Sequence, residues 1–183
     1  MQLQKYLFLG ILFCALYSCS KKSGSAEEKP TITDYYAVGT KVIGGEQYGI
    51  VWKNGAEQSL PTADKNSNIY SVFVNGEDVY YTGTTTKGAV YWKNNNPVYL
   101  SGDAFLYASV SDIAISGNDI YLVGTATPPG KNATPFLWKN GVVTYLPVDG
   151  TNVSSADKIV LSGNDVYISG IQFKSNGNNH HLK

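Results

Sequence analysis

The chain has 183 residues, a length that supports one domain with a substantial core and is short for two. Its 14 basic residues are all Lys, scattered along the chain and balanced by 14 acidic ones, so it carries neither a bidentate guanidinium fork nor a basic patch, which argues against nucleic acid as a partner. With 19 Gly, 13% aromatic and 15% charged residues, the composition suits many short strands joined by turns, and the expected fold class is all-β.

The first element in chain order is an address. Lys5 precedes an apolar run of 13 residues, Tyr6 to Ser18, where a membrane-spanning helix needs roughly 20. That pattern predicts a secretory signal over residues 1–18. Its end, Leu16-Tyr17-Ser18-Cys19, resembles the lipobox of bacterial lipoproteins, and the resemblance implies cleavage before Cys19 and lipid attachment there. An ordinary signal peptide with an incidental Cys, or an uncleaved anchor, is the alternative. Cys14 leaves with the signal, so a processed chain keeps Cys19 alone and has no internal disulfide. Residues 19–30 are small and polar without periodicity and read as a flexible tether, with the acyl chains rather than Lys21-Lys22 holding the membrane. The abundance of Asn, Gly, Tyr and Lys is similar to that of Bacteroidota lipoproteins, which implies a lipid-anchored place in the cell envelope, at the outer membrane. In that group an acidic cluster directly after the Cys marks export to the outer surface. Here Lys21-Lys22 stand in its place, so the surface and the periplasmic face both stay open.

From residue 31 onward the chain repeats itself. The phrase Asp-x-Tyr-x-x-Gly occurs at Asp34, Asp78, Asp119 and Asp165, at intervals of 44, 41 and 46 residues, with Tyr36, Tyr80, Tyr121 and Tyr167 two places on and Gly39, Gly83, Gly124 and Gly170 five places on. Regular self-similarity of this length marks a repeat architecture. Each phrase, as in Asp119 to Thr125, reads as a strand apolar on both faces. A second strand ends in Trp-Lys-Asn-Gly or Trp-Lys-Asn-Asn, at Trp52, Trp92 and Trp138, and turns tightly through residues that tolerate the positive φ of a type I′ turn. A third strand follows, over residues 56–60, 97–100 and 142–146, and breaks near Asp64, Asp103 and Asp149. A fourth, over residues 68–76, 107–117 and 154–163, hairpins into the Asp of the next period. The periods are 34–77, 78–118, 119–164 and a partial 165–183.

Four strands in about 40 to 50 residues is the size of a propeller blade. The apolar strand ending in Gly, followed by a Trp, resembles the kelch-like β-propeller repeat, with Gly-Thr here where kelch has Gly-Gly, in a version whose second strand reads Trp-Lys-Asn-Gly. The likeness covers residues 31–183 and implies a propeller-like array of four-stranded antiparallel blades, about three and a half of them. Trp follows Asp by 18, 14 and 19 residues in the complete copies, so a fourth Trp is due at about position 179 to 184. The expectation is a fragment of a longer propeller; a short chain that closes on itself or dimerises is the alternative. Open blade edges predict self-association.

The repeated Asp, Trp and Tyr residues are expected to be structural, as turn and packing positions, rather than a carboxylate or sugar-stacking ring. Residues that break the repeat are the better ligand-binding candidates: Tyr48, Phe105, Tyr107 and Asp112, with the loop Pro128-Pro129-Gly130-Lys131-Asn132. His180-His181 without a third ligand do not make a zinc site. No nucleophile elbow or phosphate loop is present, so no catalytic residue, metal or cofactor is expected. The resulting expectation is a lipid-anchored scaffold whose loops bind a protein or a glycan. A propeller-type glycan hydrolase or lyase, for which only Asp112 and Asp157 offer carboxylates, and a truncated gene product without independent function, are the alternatives.

Overall fold

The computed structural model describes residues 33–182 other than 62, 64, 101–104, 106, 107, 149–153 and 174–178, with the side chains of residue 173 and of 179–182 also outside the description. The signal, Cys19 and the tether lie outside the described residues, as do Tyr107, Asp64, Asp103 and Asp149. Every named element is a strand: β1 (Tyr36–Ile43), β2 (Glu46–Lys53), β3 (Ala56–Gln58), β4 (Asn68–Asn75), β5 (Asp78–Thr85), β6 (Gly88–Lys93), β7 (Asn96–Tyr99), β8 (Ser109–Ser116), β9 (Asp119–Ala126), β10 (Thr134–Lys139), β11 (Val142–Tyr145), β12 (Ser154–Ser162), β13 (Asp165–Phe173) and β14 (Asn179–Leu182). They form four antiparallel sheets, A (β1-β2-β3), B (β4-β5-β6-β7), C (β8-β9-β10-β11) and D (β12-β13-β14). The chain is all-β and propeller-like, with sheets of the expected kind.

The turns form for the reason the sequence suggests. Asn54-Gly55, Asn94-Asn95 and Asn140-Gly141 all sit at positive φ, between 47° and 97°, so the second and third strands of each sheet meet through the I′ geometry. Sheets and sequence periods are offset by one strand. Counting from the Asp puts β4, β8 and β12 at the end of a period, whereas each is the leading strand of the next sheet, paired across its hairpin with β5, β9 and β13. Sheet A has no such leading strand among the described residues and starts at β1, the equivalent of β5.

The core lies between successive sheets. Val51, Leu60, Ile69, Tyr81, Val90 and Trp92 fill the space between A and B. A larger cluster around Tyr80, Tyr91, Phe105, Leu122 and Phe136 joins B to C, and Ala114, Val123, Ala156 and Ile159 join C to D. Trp92 is fully buried and its Nε1 donates to the Pro61 carbonyl at 2.8 Å, tying sheet B to the loop after sheet A. Trp138 meets Tyr91 at 6.0 Å between ring centres. Trp92 and Trp138 thus do pack between sheets. The repeated Tyr residues do so only where a further sheet follows. Tyr80 is 3% exposed against sheet C, but Tyr167, expected in the core, is 58% exposed, because no described sheet covers that face of D.

Candidate functional site

The two phrases of the repeat turn out to be halves of one polar knot. In sheet C, Lys139 Nζ lies 2.7 Å from Asp119 Oδ2, Asn140 Nδ2 donates to Asp119 Oδ1 at 2.7 Å, and the Ile120 amide donates to Asn140 Oδ1 at 2.9 Å. The same arrangement joins Asp78, Lys93 and Asn94 in sheet B and Asp34, Lys53 and Asn54 in sheet A. Each ammonium also sits over the ring of the neighbouring Tyr, 4.8 Å from the centre at Tyr121. Asp-x-Tyr and Trp-Lys-Asn therefore recur together because the carboxylate, the ammonium, the amide and the ring are one assembly, which fixes the second-to-third strand turn against the preceding strand. The carboxylates of Asp34, Asp78 and Asp119 are occupied by this duty.

The hydrogen bond from Lys139, then that from Asn140, holds the Asp119 carboxyl below the ordinary aspartate range, and Asp34 and Asp78 are lowered in the same way by Lys53 and Lys93. Lys139 is pushed up to about 12, chiefly by Asp119. A depressed folded-state value means that the stability from these carboxylates is present above the ordinary carboxylate range and is lost as pH falls through the lower folded value. Carboxyl carbon NMR titration is expected to show Asp34, Asp78 and Asp119 titrating below ordinary aspartates, with Asp119 moving up toward the ordinary range in Lys139→Met while the Asn140 hydrogen bond still holds it below.

The candidate residues that break the repeat do not converge on one place. Phe105 is buried and meets Phe136 edge to face at 5.2 Å, in the B–C core. Asp112 is buried among three sheets: its carboxylate accepts from Ser71 Oγ on β4 and from the Ile159 amide on β12 at 3.1 Å, with Lys158 Nζ at 3.9 Å. Both are placed as packing and tying residues. Tyr48 pairs with Lys65 in an isolated bridge and lines a hollow of about 470 Å³ beside Ser59, Leu60 and the Lys41–Glu57 ion pair.

The loop after β9 is different. It runs Thr127 to Ala133, seven residues, where the equivalent connections are Gly44–Gly45 and Thr86–Lys87, two each. Pro128-Pro129-Gly130-Lys131 makes a turn in which the Lys131 amide donates to the Pro128 carbonyl at 3.0 Å and Gly130 takes φ +71°, the type II pattern with Pro and then Gly at its centre. Thr134 Oγ1 donates to the Asn132 carbonyl at 2.8 Å. These two hydrogen bonds give the loop a defined turn and a tied end. On one flank Gly130, Lys131 and Asn132 line a groove of about 440 Å³ with Thr134, Tyr145 and Pro147, and the Tyr145 side is open to solvent. On the other flank Thr127 and Ala133 line a hollow of about 540 Å³ together with Thr84, Thr85, Thr86, Ser109 and Thr125.

The groove occupies the same place in sheet C as the Tyr48 hollow does in sheet A. Leu60 and Leu146 each fall eight residues after their Trp, with Tyr48 and Thr134 each four before it. The sequence pointed to the loop but not to Tyr145 and Thr134, whose only signal is their position opposite it in the register. Among the described residues no group of three or more His, Cys, Asp or Glu is placed to hold a metal ion. Compared with known proteins, the chain matches no family model, no curated protein and no solved structure.

Proposed function

We propose that this is a lipid-anchored protein of the bacterial cell envelope, held at the outer membrane through Cys19, whose propeller-like domain binds a glycan without transforming it. The observation that carries the binding half is the seven-residue loop after β9, which turns a hollow repeated elsewhere in the fold into a groove with an exposed aromatic ring, an amide and an ammonium. A sugar ring offers an apolar face to stack on Tyr145, 41% exposed, and hydroxyls for Asn132, Lys131 and Thr134. The hydrogen-bonded Pro128–Lys131 turn supports this, because a preformed loop loses little entropy on binding. Asp112, which the hydrolase or lyase alternative would enlist, has its carboxylate engaged by Ser71, Ile159 and Lys158, which favours binding over catalysis. The lipoprotein half rests on the Leu16-Tyr17-Ser18-Cys19 sequence. Self-association through the terminal sheets is supported by the exposed Val42, Ile43, Val160 and Tyr167.

The test titrates envelope oligosaccharides into the full chain in detergent and follows the Tyr145 ring by NMR. Tyr145→Ala is expected to weaken binding at least ~10-fold with an unchanged melting temperature, since the ring packs in no core cluster. Cys19→Ser is expected to lose acyl labelling and leave the membrane fraction. Equal binding by Tyr145→Ala would remove the groove from the argument, and shortening of the oligosaccharide would favour the enzyme.

A further inference from the structure

In sheets B, C and D one glycine is compelled by its neighbour. The leading strands each carry a bulge, between Ile69 and Ser71, Val110 and Asp112, and Ala156 and Lys158, and the residues before the bulge pair with Gly83, Gly124 and Gly170. A Cβ on Gly83 would overlap the carbonyl oxygen of Asn68, on Gly124 that of Ser109, and on Gly170 that of Ser155. The bulge presses a backbone carbonyl onto the facing strand, and only a residue without a side chain fits beneath it.

Gly39 holds the same place in β1, and nothing in the described structure requires it. Its φ is not in the left-handed region, and a Cβ there would meet only the Trp52 ring, at 3.6 Å, an ordinary contact. Among the described residues β1 pairs with β2 alone, and no described strand pairs with its other edge. β1 lies beside the leading strand β4, as its equivalents β5 and β9 lie beside β8 and β12, and the leading strands β4, β8 and β12 also neighbour one another in turn.

We infer that the free edge of β1 is an acceptor for a fourth bulged leading strand, supplied by another polypeptide segment of the same repeat type, and that Gly39 is the seat of its bulge. The occupant is specified by the three strands already seated: a polar residue just after the bulge, then three consecutive apolar residues beginning with Ile or Val, then Asn or Ser and a closing Gly, as in Asp112-Ile113-Ala114-Ile115-Ser116-Gly117. A second copy has no spare strand of this kind among its described residues, because β4, β8 and β12 are each paired within their own sheets. Addition of an extended segment to a sheet edge gains affinity from the ladder and specificity from the side chains that alternate along it.

The test adds a labelled synthetic peptide of residues 108–118 to the full chain in detergent. Saturable binding is expected, with slowed amide exchange over Tyr36–Ile43, and Gly39→Ala is expected to weaken it at least ~10-fold while leaving the melting temperature of the unliganded chain unchanged. No binding, binding indifferent to Gly39→Ala, or protection confined to β12 and β13 would each overturn the inference, the second by making Gly39 a relic of repeat duplication. Self-association of the unliganded chain that Gly39→Ala abolishes would put a second copy on the edge and overturn the choice of occupant.

Discussion

Gly124→Ala is expected to destabilise the domain by more than ~3 kcal/mol, whereas Gly39→Ala changes its stability by less than ~1 kcal/mol. The two glycines occupy the same position in the repeat, so propensity, strand and neighbours in sequence are held nearly constant. What differs is the strand across the ladder. A Cβ at residue 124 would overlap the Ser109 carbonyl oxygen and crowd the Val110 Cα, and backbone atoms cannot swing aside as a side-chain tip can. Relief requires opening the β8–β9 pairing, the seam through which Val110 and Leu122 enter the core between sheets B and C. At residue 39 the added methyl meets only the Trp52 ring at ordinary distance. Urea unfolding of the two variants measures the contrast through their midpoints. Equal losses would show that the glycine serves the strand itself and not the bulge opposite it.

Asp112→Ala is expected to cost about 3 kcal/mol, a loss on the scale of breaking a buried polar network. Its carboxylate touches both flanking leading strands, accepting from Ser71 Oγ on β4 and from the Ile159 amide on β12. Removing it leaves a buried amide without its acceptor, together with a void among side chains that are 9% exposed or less at Ser71, Asp112 and Ile159. Asp112→Asn keeps one oxygen and is expected to lose roughly half as much. The readout is again the urea midpoint, with amide exchange at Ile159 as the local check. If Ile159 exchanges no faster in Asp112→Ala, that amide does not depend on the carboxylate.

Much of the fold is legible in the sequence because the repeats align copies of the same local instruction. A strand with both faces apolar, a Trp two places before an Asn-Gly turn, and a hairpin into the next Asp are local signals, and each formed where the pattern put it. All three third strands stop short of the Leu that the pattern put at their end, at Gln58, Tyr99 and Tyr145, and Leu60 packs between sheets A and B instead. What the pattern hid is pairwise and long-range. The Asp119–Lys139–Asn140 knot joins residues about 20 apart, and because every member recurs with the period, each looks separately like a turn or packing residue. Asp157 looks like the counterpart of Asp112 in the sequence, but it falls in the bulge of β12, and the position of Asp112 is held by Ser71 in β4 and Lys158 in β12. The partners of Asp112 come from two neighbouring sheets, which no linear pattern announces. Tyr167 carries the same signal as Tyr80, yet its burial depends on a sheet that the described residues do not supply. The groove was half legible: a loop that breaks the repeat is visible as an insertion, while Tyr145, which stands opposite it, keeps the repeat register.

Because every sheet is drawn from one uninterrupted stretch of chain, with its strands in sequence order, the order of synthesis is also an order of assembly. Each sheet can zip from nearest neighbours, through short loops, before the next has left the ribosome, which is the fast and local route to a β fold. The slower step is docking, when Trp92 reaches back to Pro61 or Ile159 to Asp112. At every stage the newest sheet presents a face like that of Tyr167, apolar and waiting, so the nascent domain grows at a sticky front whose tackiness is renewed with each blade.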